Sequence, residues 1–234
     1  MCKENNMNTE LMEEYFTQIK SHNLFKEMSD DEIEYVFRNF EFKIKTFDVG
    51  DVILKNDKTQ KFSLFILSGC ARWEICGFEG SREILGNVNC GTLAYFVTPS
   101  TAGVTINSDL VACKETTVLY MDFSDFMKDD YKFITVQHKL LCNIAVLLDE
   151  NLRICFEHKI ILSERSTRKK ICRFLDFIKK NTKSNSFDID FSRSELADYL
   201  SIDKSSLSRE LGNMKKEGII EFCGNHFEIK MELC

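Results

Sequence analysis

The sequence predicts an α+β chain in three parts. An N-terminal double-stranded β-helix (jelly roll), preceded by helix, fills residues 1–122; one long helix covers 123–162; and a helix-turn-helix with a β-wing fills 163–234. Three observations predict this. Eight short β-rich runs lie between residues 44 and 122, punctuated by glycines at 50, 69, 77, 80, 86, 91 and 103. Neither glycine nor proline occurs from 104 to 211, so helices there meet no strong breaker. Between Ser192 and Lys230 a helix cap, a short turn, a second cap and a hairpin signature follow one another.

A chain of 234 residues favours two modest domains, and 44% hydrophobic with 29% charged content supplies cores without the bias of a disordered chain. Helical patterning runs from Leu11 to Phe40, with Ser29 or Asp30 as N-cap ahead of Ile33, Val36, Phe37 and Phe40. The strands expected next are Ile44–Phe47, Asp51–Leu54, Phe62–Leu67, Ala71–Cys76, Arg82–Leu85, Val104–Asn107, Leu110–Cys113 and Thr117–Met121. Their close spacing indicates a sandwich, roll or barrel rather than βαβ units, and Pro99, the only proline, falls in a loop between them.

From Phe123 to about Leu162, Leu141, Ile144, Leu148, Asn151, Cys155 and His158 recur every 3.5 positions, flanked by Leu140, Leu147 and Ile154. A helix of ~35 residues would reach ~50 Å, more than one small domain covers. Leu141, Ile144, Leu148, Asn151 and Cys155 are therefore expected as a homodimer seam. Asn151 either pairs across the two-fold to fix register or breaks the seam to face a ligand cavity.

Ser192-Arg-Ser-Glu195 fits a capping box and opens a helix whose apolar face is Leu196, Ala197 and Leu200. Ser201-Ile-Asp203 makes the turn, with Asp203 as the next N-cap. The second helix turns Leu207, Leu211 and Met214 inward and Lys204, Ser205, Ser208, Arg209, Lys215 and Lys216 outward. Ile219–Cys223 and His226–Lys230, joined by Gly224-Asn225, form the wing. A helix N-terminus offering lysine, serine and arginine suits the major groove, where arginine donates two hydrogen bonds to guanine. The expected DNA-contacting set is Ser192, Arg193, Asp203, Lys204, Ser205, Ser206, Ser208 and Arg209. Charge agrees: the whole chain carries −6, yet residues 165–234 carry +3 and residues 1–164 carry −9. Arg165, Arg168, Lys169, Lys170 and Arg173 cluster ahead of the motif, either beside phosphates or as a solvated helix face.

A β-roll, a long helix and a winged helix-turn-helix in this order resemble the CRP/FNR family of dimeric bacterial transcription regulators. The likeness is most specific from Phe191 to Leu211 and Met214 to Ile220. By that resemblance Lys204, Ser205 and Arg209 occupy the three positions that meet bases, and Ser208-Arg209 is similar to the Ser-Arg pair of the oxygen-responsive branch. Ser205 stands where glutamate is common, which implies an operator different from the family standard. The resemblance also implies an effector-sensing roll and a homodimer on a pseudo-palindromic duplex, with RNA polymerase as a further candidate partner.

Cyclic-nucleotide-binding members use a Gly-Glu-Leu turn followed by an Arg-Ser-Ala segment. Here the turn reads Gly91-Thr92-Leu93, and Ala94–Gly103 contains no arginine or lysine. A buried phosphodiester without its cation is poorly compensated, so cAMP is not the expected effector. Gly91, Thr92, Leu93, Tyr95 and Phe96 are instead expected to line a pocket for a more apolar small molecule. The ten cysteines, at 2, 70, 76, 90, 113, 142, 155, 172, 223 and 234, include no CxxC, and only Cys2 lies near the N-terminus. They are expected to be reduced and mostly buried; iron-sulfur and haem are unsupported, His22, His138, His158 and His226 being widely separated, and no metal ligands are assigned. No phosphate loop, Gly-x-Ser-x-Gly or His-Glu-x-x-His occurs, so an enzyme is not expected. No 18-residue apolar run and no signal-peptide core are found, which predicts a cytoplasmic protein without a membrane partner. Two other functions fit the same residues: a ligand-binding or protein-interaction module with a vestigial helix-turn-helix, and a redox- or metal-responsive regulator using the scattered cysteines.

Overall fold

The computed structural model describes residues 14–56, 59–76, 82–98, 101, 107–124 and 134–233. They form two compact units, the first holding the described residues up to 76 and 85–151, the second residues 82–84 and 152–233, so that the long helix is divided between Asn151 and Leu152. The first unit begins with a helix over residues 14–21 (α1), a 3-10 turn at Asn23–Phe25 and α2 (Asp30–Asn39). Ser29 caps α2 in a full capping box: its hydroxyl accepts from the Glu32 amide, and the Glu32 carboxylate accepts from the Ser29 amide at 2.7 Å.

Eight strands follow: β1 (Phe42–Phe47), β2 (Val52–Leu54), β3 (Ser63–Ser68), β4 (Cys70–Cys76), β5 (Arg82–Asn89), β6 (Leu93–Tyr95), β7 (Asp109–Ala112) and β8 (Thr116–Met121). They pair in two sheets, ordered β1-β8-β3-β6 and β2-β7-β4-β5. Neighbours in these sheets are mostly distant in sequence, as a jelly roll requires. The expected strand Val104–Asn107 falls largely outside the described residues. β6 was not foreseen: with three residues after the Gly91 turn it is too short to show a period.

The run Leu64-Phe-Ile-Leu67 is apolar throughout because both faces of its sheet are covered. Leu64, Ile66, Val118 and Tyr120 point into the core between the sheets. Phe65, Leu67, Leu119 and Met121 point outward into a second core, closed by Leu24, Phe25, Ile33, Val36 and Phe37 and by Val136, Leu140, Ile144 and Leu147.

Those last four belong to α3 (Ile134–Ser163). They correct one seam residue: Ile144 is 3% exposed and packs inside its own unit. Asn151 also turns inward, its Nδ2 donating to the Leu93 carbonyl at 2.7 Å, so it pairs with the roll of its own chain rather than across a two-fold. The expected 3.5-residue row had merged two stripes. Leu141 at 48% and Leu148 at 41% exposure lie on the other stripe with exposed Ala145, and in the second unit Leu152, Cys155 and Phe156 are exposed as well.

The second unit holds the last turns of α3, then α4 (Thr167–Thr182), β9 (Ser186–Asp188), α5 (Arg193–Tyr199), α6 (Lys204–Lys216), β10 (Ile220–Cys223) and β11 (His226–Ile229). Ser166 caps α4, and Lys183 in the left-handed region ends it. Its three-stranded sheet runs β10-β11-β9, and its core gathers Ile171, Phe174, Phe187, Leu196, Leu207, Leu211, Met214 and Phe227. His158 stacks on Tyr199 at 4.0 Å between ring centroids, and its Nε2 lies 2.8 Å from the Tyr199 carbonyl oxygen. Burial pushes the His158 pKa down.

The expected burial of the thiols is corrected too. Of those described, Cys70 and Cys172 are buried and Cys113 is half-buried, whereas Cys90, Cys142, Cys155 and Cys223 are exposed.

Candidate nucleic-acid interface

Ser192 caps α5 in a second reciprocal capping box with Glu195. Leu200 ends the helix and Ser201 swings into the left-handed region at φ 49°. The chain then re-enters helix at Asp203, whose backbone is extended, as an N-cap requires, although its carboxylate makes no cap hydrogen bond. Ala197, buried where α5 meets α6, accepts the Ile202 amide through its carbonyl at 3.0 Å, which tightens the turn. Leu207, Leu211 and Met214 anchor α6 in the core. Gly218, at φ 74°, closes α6: its amide donates to Lys215 O, and Ile219 donates to Met214 O.

This anchoring presents Lys204, Ser205, Ser208 and Arg209 to solvent at the start of α6. None of the four side chains makes a hydrogen bond or ion pair with any described residue. Ser206 is half-buried beside them, and Ser192 and Asp203 are exposed at the two caps. Free donors on a helix whose apolar face is fixed are the arrangement for reading base edges.

Arg193 is a correction. Its Nη2 donates to the Gly224 carbonyl at 2.6 Å, and its guanidinium carbon stands 5.0 Å from the Phe222 ring centroid and 4.7 Å from that of Phe227. The side chain is folded onto the wing, because two aromatic faces and a turn carbonyl offer a guanidinium more than solvent does. The basic cluster ahead of the motif is also largely engaged. Arg168 pairs with Glu217 and with Glu210, which raises its pKa; Lys170 caps the carbonyls of Leu200 and Ser201; Arg173 meets Glu164. Arg165 and Lys169 have no such partner among the described residues.

The wing is the expected hairpin. Gly224 alone of its two turn residues has positive φ, 57°, the pattern of a II′ turn. What the sequence did not disclose is that Phe222 and Phe227 stand opposite one another across it and receive Arg193. The signal was there: a two-residue loop fixes the register, and the register pairs the two rings.

In the first unit, Gly91 sits at φ 82° and Thr92 O accepts from the Ile66 amide. His22 Nε2 also lies 3.3 Å from Thr92 O, and Asn151 holds Leu93 O. Leu93 and Phe96 join the core on the helical side of the sheet, while Tyr95 turns to the core between the sheets and meets Trp73 at 6.4 Å. The pocket-lining set is thus divided between two cores. His22 was not among the expected residues, since nothing in a single sequence places it beside residue 92. Among the described residues no group of three or more histidine, cysteine or acidic side chains is placed to hold a metal ion, and no helix is long and apolar enough to cross a membrane.

A capped helix-turn-helix with a β-wing, following a jelly roll in one chain, defines a class: winged-helix DNA-binding proteins with an N-terminal β-roll. Comparison with known proteins agrees. Residues 169–232 match the Crp-like helix-turn-helix domain. The chain is 25% identical over 203 residues to the transcriptional activator protein FnrL of Cereibacter sphaeroides, covering 79% of this chain and 75% of FnrL. Its fold is similar to FixK2 from Bradyrhizobium japonicum, with a TM-score of 0.63 at 18% identity over 82% of this chain and 94% of that one. A CooA mutant from Carboxydothermus hydrogenoformans gives a TM-score of 0.68 at 17% identity over 88% of each chain. Residues 169–232 thus carry a Crp-like helix-turn-helix domain, and over most of its length the chain is similar to CRP/FNR DNA-binding transcription regulators.

Proposed function

We propose that this regulator acts as a cytoplasmic homodimer, reads a pseudo-palindromic duplex with the N-terminal turns of α6, and is controlled through the β-roll by a small effector other than cAMP. The observation that carries the reading is the exposed, unengaged set Lys204, Ser205, Ser208 and Arg209. Arg209 donates to a guanine; Ser205, lacking the carboxylate that would accept from cytosine, shifts the preferred half-site. Ser192, Ser206 and Asp203 flank the bases near the backbone. Dimerisation uses Leu141, Ala145 and Leu148 in the first unit and Leu152, Cys155 and Phe156 in the second. Against cAMP stands the same turn, Gly91-Thr92-Leu93, with no cation near it in sequence. RNA polymerase is the partner through which the bound dimer would act.

Binding-site selection tests the assignment. Arg209→Ala is expected to weaken the selected duplex by ~1–3 kcal/mol and to relax preference at one position per half-site. An unchanged base preference in the variant would remove Arg209 from the readout.

A further inference from the structure

Two cations, one from each helix of the helix-turn-helix, approach the same wing ring. Arg193 from α5 stands 5.0 Å from the Phe222 centroid, and Lys215 Nζ from α6 stands 5.2 Å from it. Lys215 Nζ also pairs with Glu221 at 2.6 Å and lies 3.5 Å from the Phe222 carbonyl oxygen. Arg193 reaches further, onto Phe227 and the Gly224 carbonyl at the hairpin tip. Its Nη1 is buried without an acceptor among the described residues, and its Nη2 is held by Gly224, so this conformation offers a phosphate little.

We infer that Arg193 is a positioning residue: through Phe222, Phe227 and Gly224 it fixes where the wing tip stands relative to the reading face of α6. The physical reason is leverage. A two-stranded hairpin is marginal by itself; β9 pairs with β11 on one side, and the outer strand β10 and the tip take their direction from what else grips them. A planar fork that stands over two rings and bonds the turn constrains direction as well as distance, which a point charge does not. The wing tip itself, Gly224-Asn225, carries no cation, so its own approach to a duplex would involve amides and the Asn225 side chain rather than counterion release.

This inference rests on DNA reading by α6 and is tested so that the two fail separately. Full-length parent, Arg193→Met, Arg193→Lys, Phe222→Leu and the Arg193→Met/Phe222→Leu double variant are titrated, over a range of salt, with the duplex that the parent selects from a random pool. Thermal melting first confirms that each variant folds, and Phe222→Leu keeps the apolar contact should Arg193→Met prove too unstable. Expected are a loss of affinity of about tenfold in Arg193→Met, no rescue by lysine, an unchanged slope of log affinity against log salt, and a double variant no worse than the worse single one. A slope shallower by about one, with rescue by lysine, would make Arg193 a direct phosphate contact; additive losses in the double variant would equally overturn the inference. Arg209→Ala on the same duplex reports on α6 independently.

Discussion

Gly69 stands between β3 and β4 with φ 82°, and a Cβ there would fall 2.2 Å from the Glu115 carbonyl oxygen and 2.7 Å from Thr116 Cα. Both obstacles are backbone, so nothing flexible can yield. Gly69→Ala is expected to cost the first unit ~3 kcal/mol or more, read as a shift in denaturant midpoint; a change under ~1 kcal/mol would mean that the turn can relax. His22 illustrates a different constraint. Its Nδ1 accepts from the Leu24 amide, its ring meets Phe65 edge-on, and burial pushes its pKa down to about 4. A base whose folded pKa lies below its unfolded value is neutral in the fold, and the unfolded chain takes up the proton first. Stability from this site is therefore full above about pH 6.5 and falls as pH drops towards 4, by about 3 kcal/mol in all. Urea midpoints of the parent and His22→Gln, compared across that window, should converge towards pH 4; parallel curves would show that His22 does not drive the loss. Neither constraint was visible in sequence: glycine at 69 read only as a turn former, and a lone histidine carries no sign of its surroundings.

The elements were more legible than their faces. Short β-rich runs and glycine punctuation gave most of the strands within a residue or two, and the cap signatures at Ser29 and Ser192 marked the starts of α2 and α5. In α3 the periodicity was real but double. A helix apolar on two stripes yields a row at 3.5 spacing that drifts from one stripe to the other, and only the packing of Ile144 on the roll separates them. This gives opposite expectations for neighbouring positions. Ile144→Ala should cost the fold ~2–4 kcal/mol by denaturant titration. Leu148→Ala should leave the unfolding of the unit nearly unchanged and raise the dimer dissociation constant in sedimentation. Equal effects of the two on folding would place both on one covered face. β9 escaped notice because three residues, one of them buried, carry no alternation to read.

At the scale of the whole chain, the charge of −6 hides a division: residues 165–234 carry +3, and within them ion pairs engage Arg168 and Arg173, whereas Lys204 and Arg209 have no ion-pair partner among the described residues. Affinity for the selected duplex is thus expected to fall steeply with salt despite the acidic chain, and the footprint to show two related half-sites about 34 Å apart. A salt-independent affinity, or protection of one asymmetric half-site, would contradict a symmetric dimer reading through α6. The order of roll, long helix and winged helix-turn-helix was legible in the amino-acid sequence by itself, as was which face of α6 is exposed, because caps, turn formers and apolar periodicity are local properties that a chain carries wherever it folds. Only the tertiary structure decided which side chains remain available: that Arg193 is folded onto the wing, that Asn151 and His22 hold the turn at Thr92-Leu93, and that Ile144 belongs to the core. Availability depends on partners distant in sequence, brought close by sheet pairing and helix packing, and no local pattern encodes those encounters.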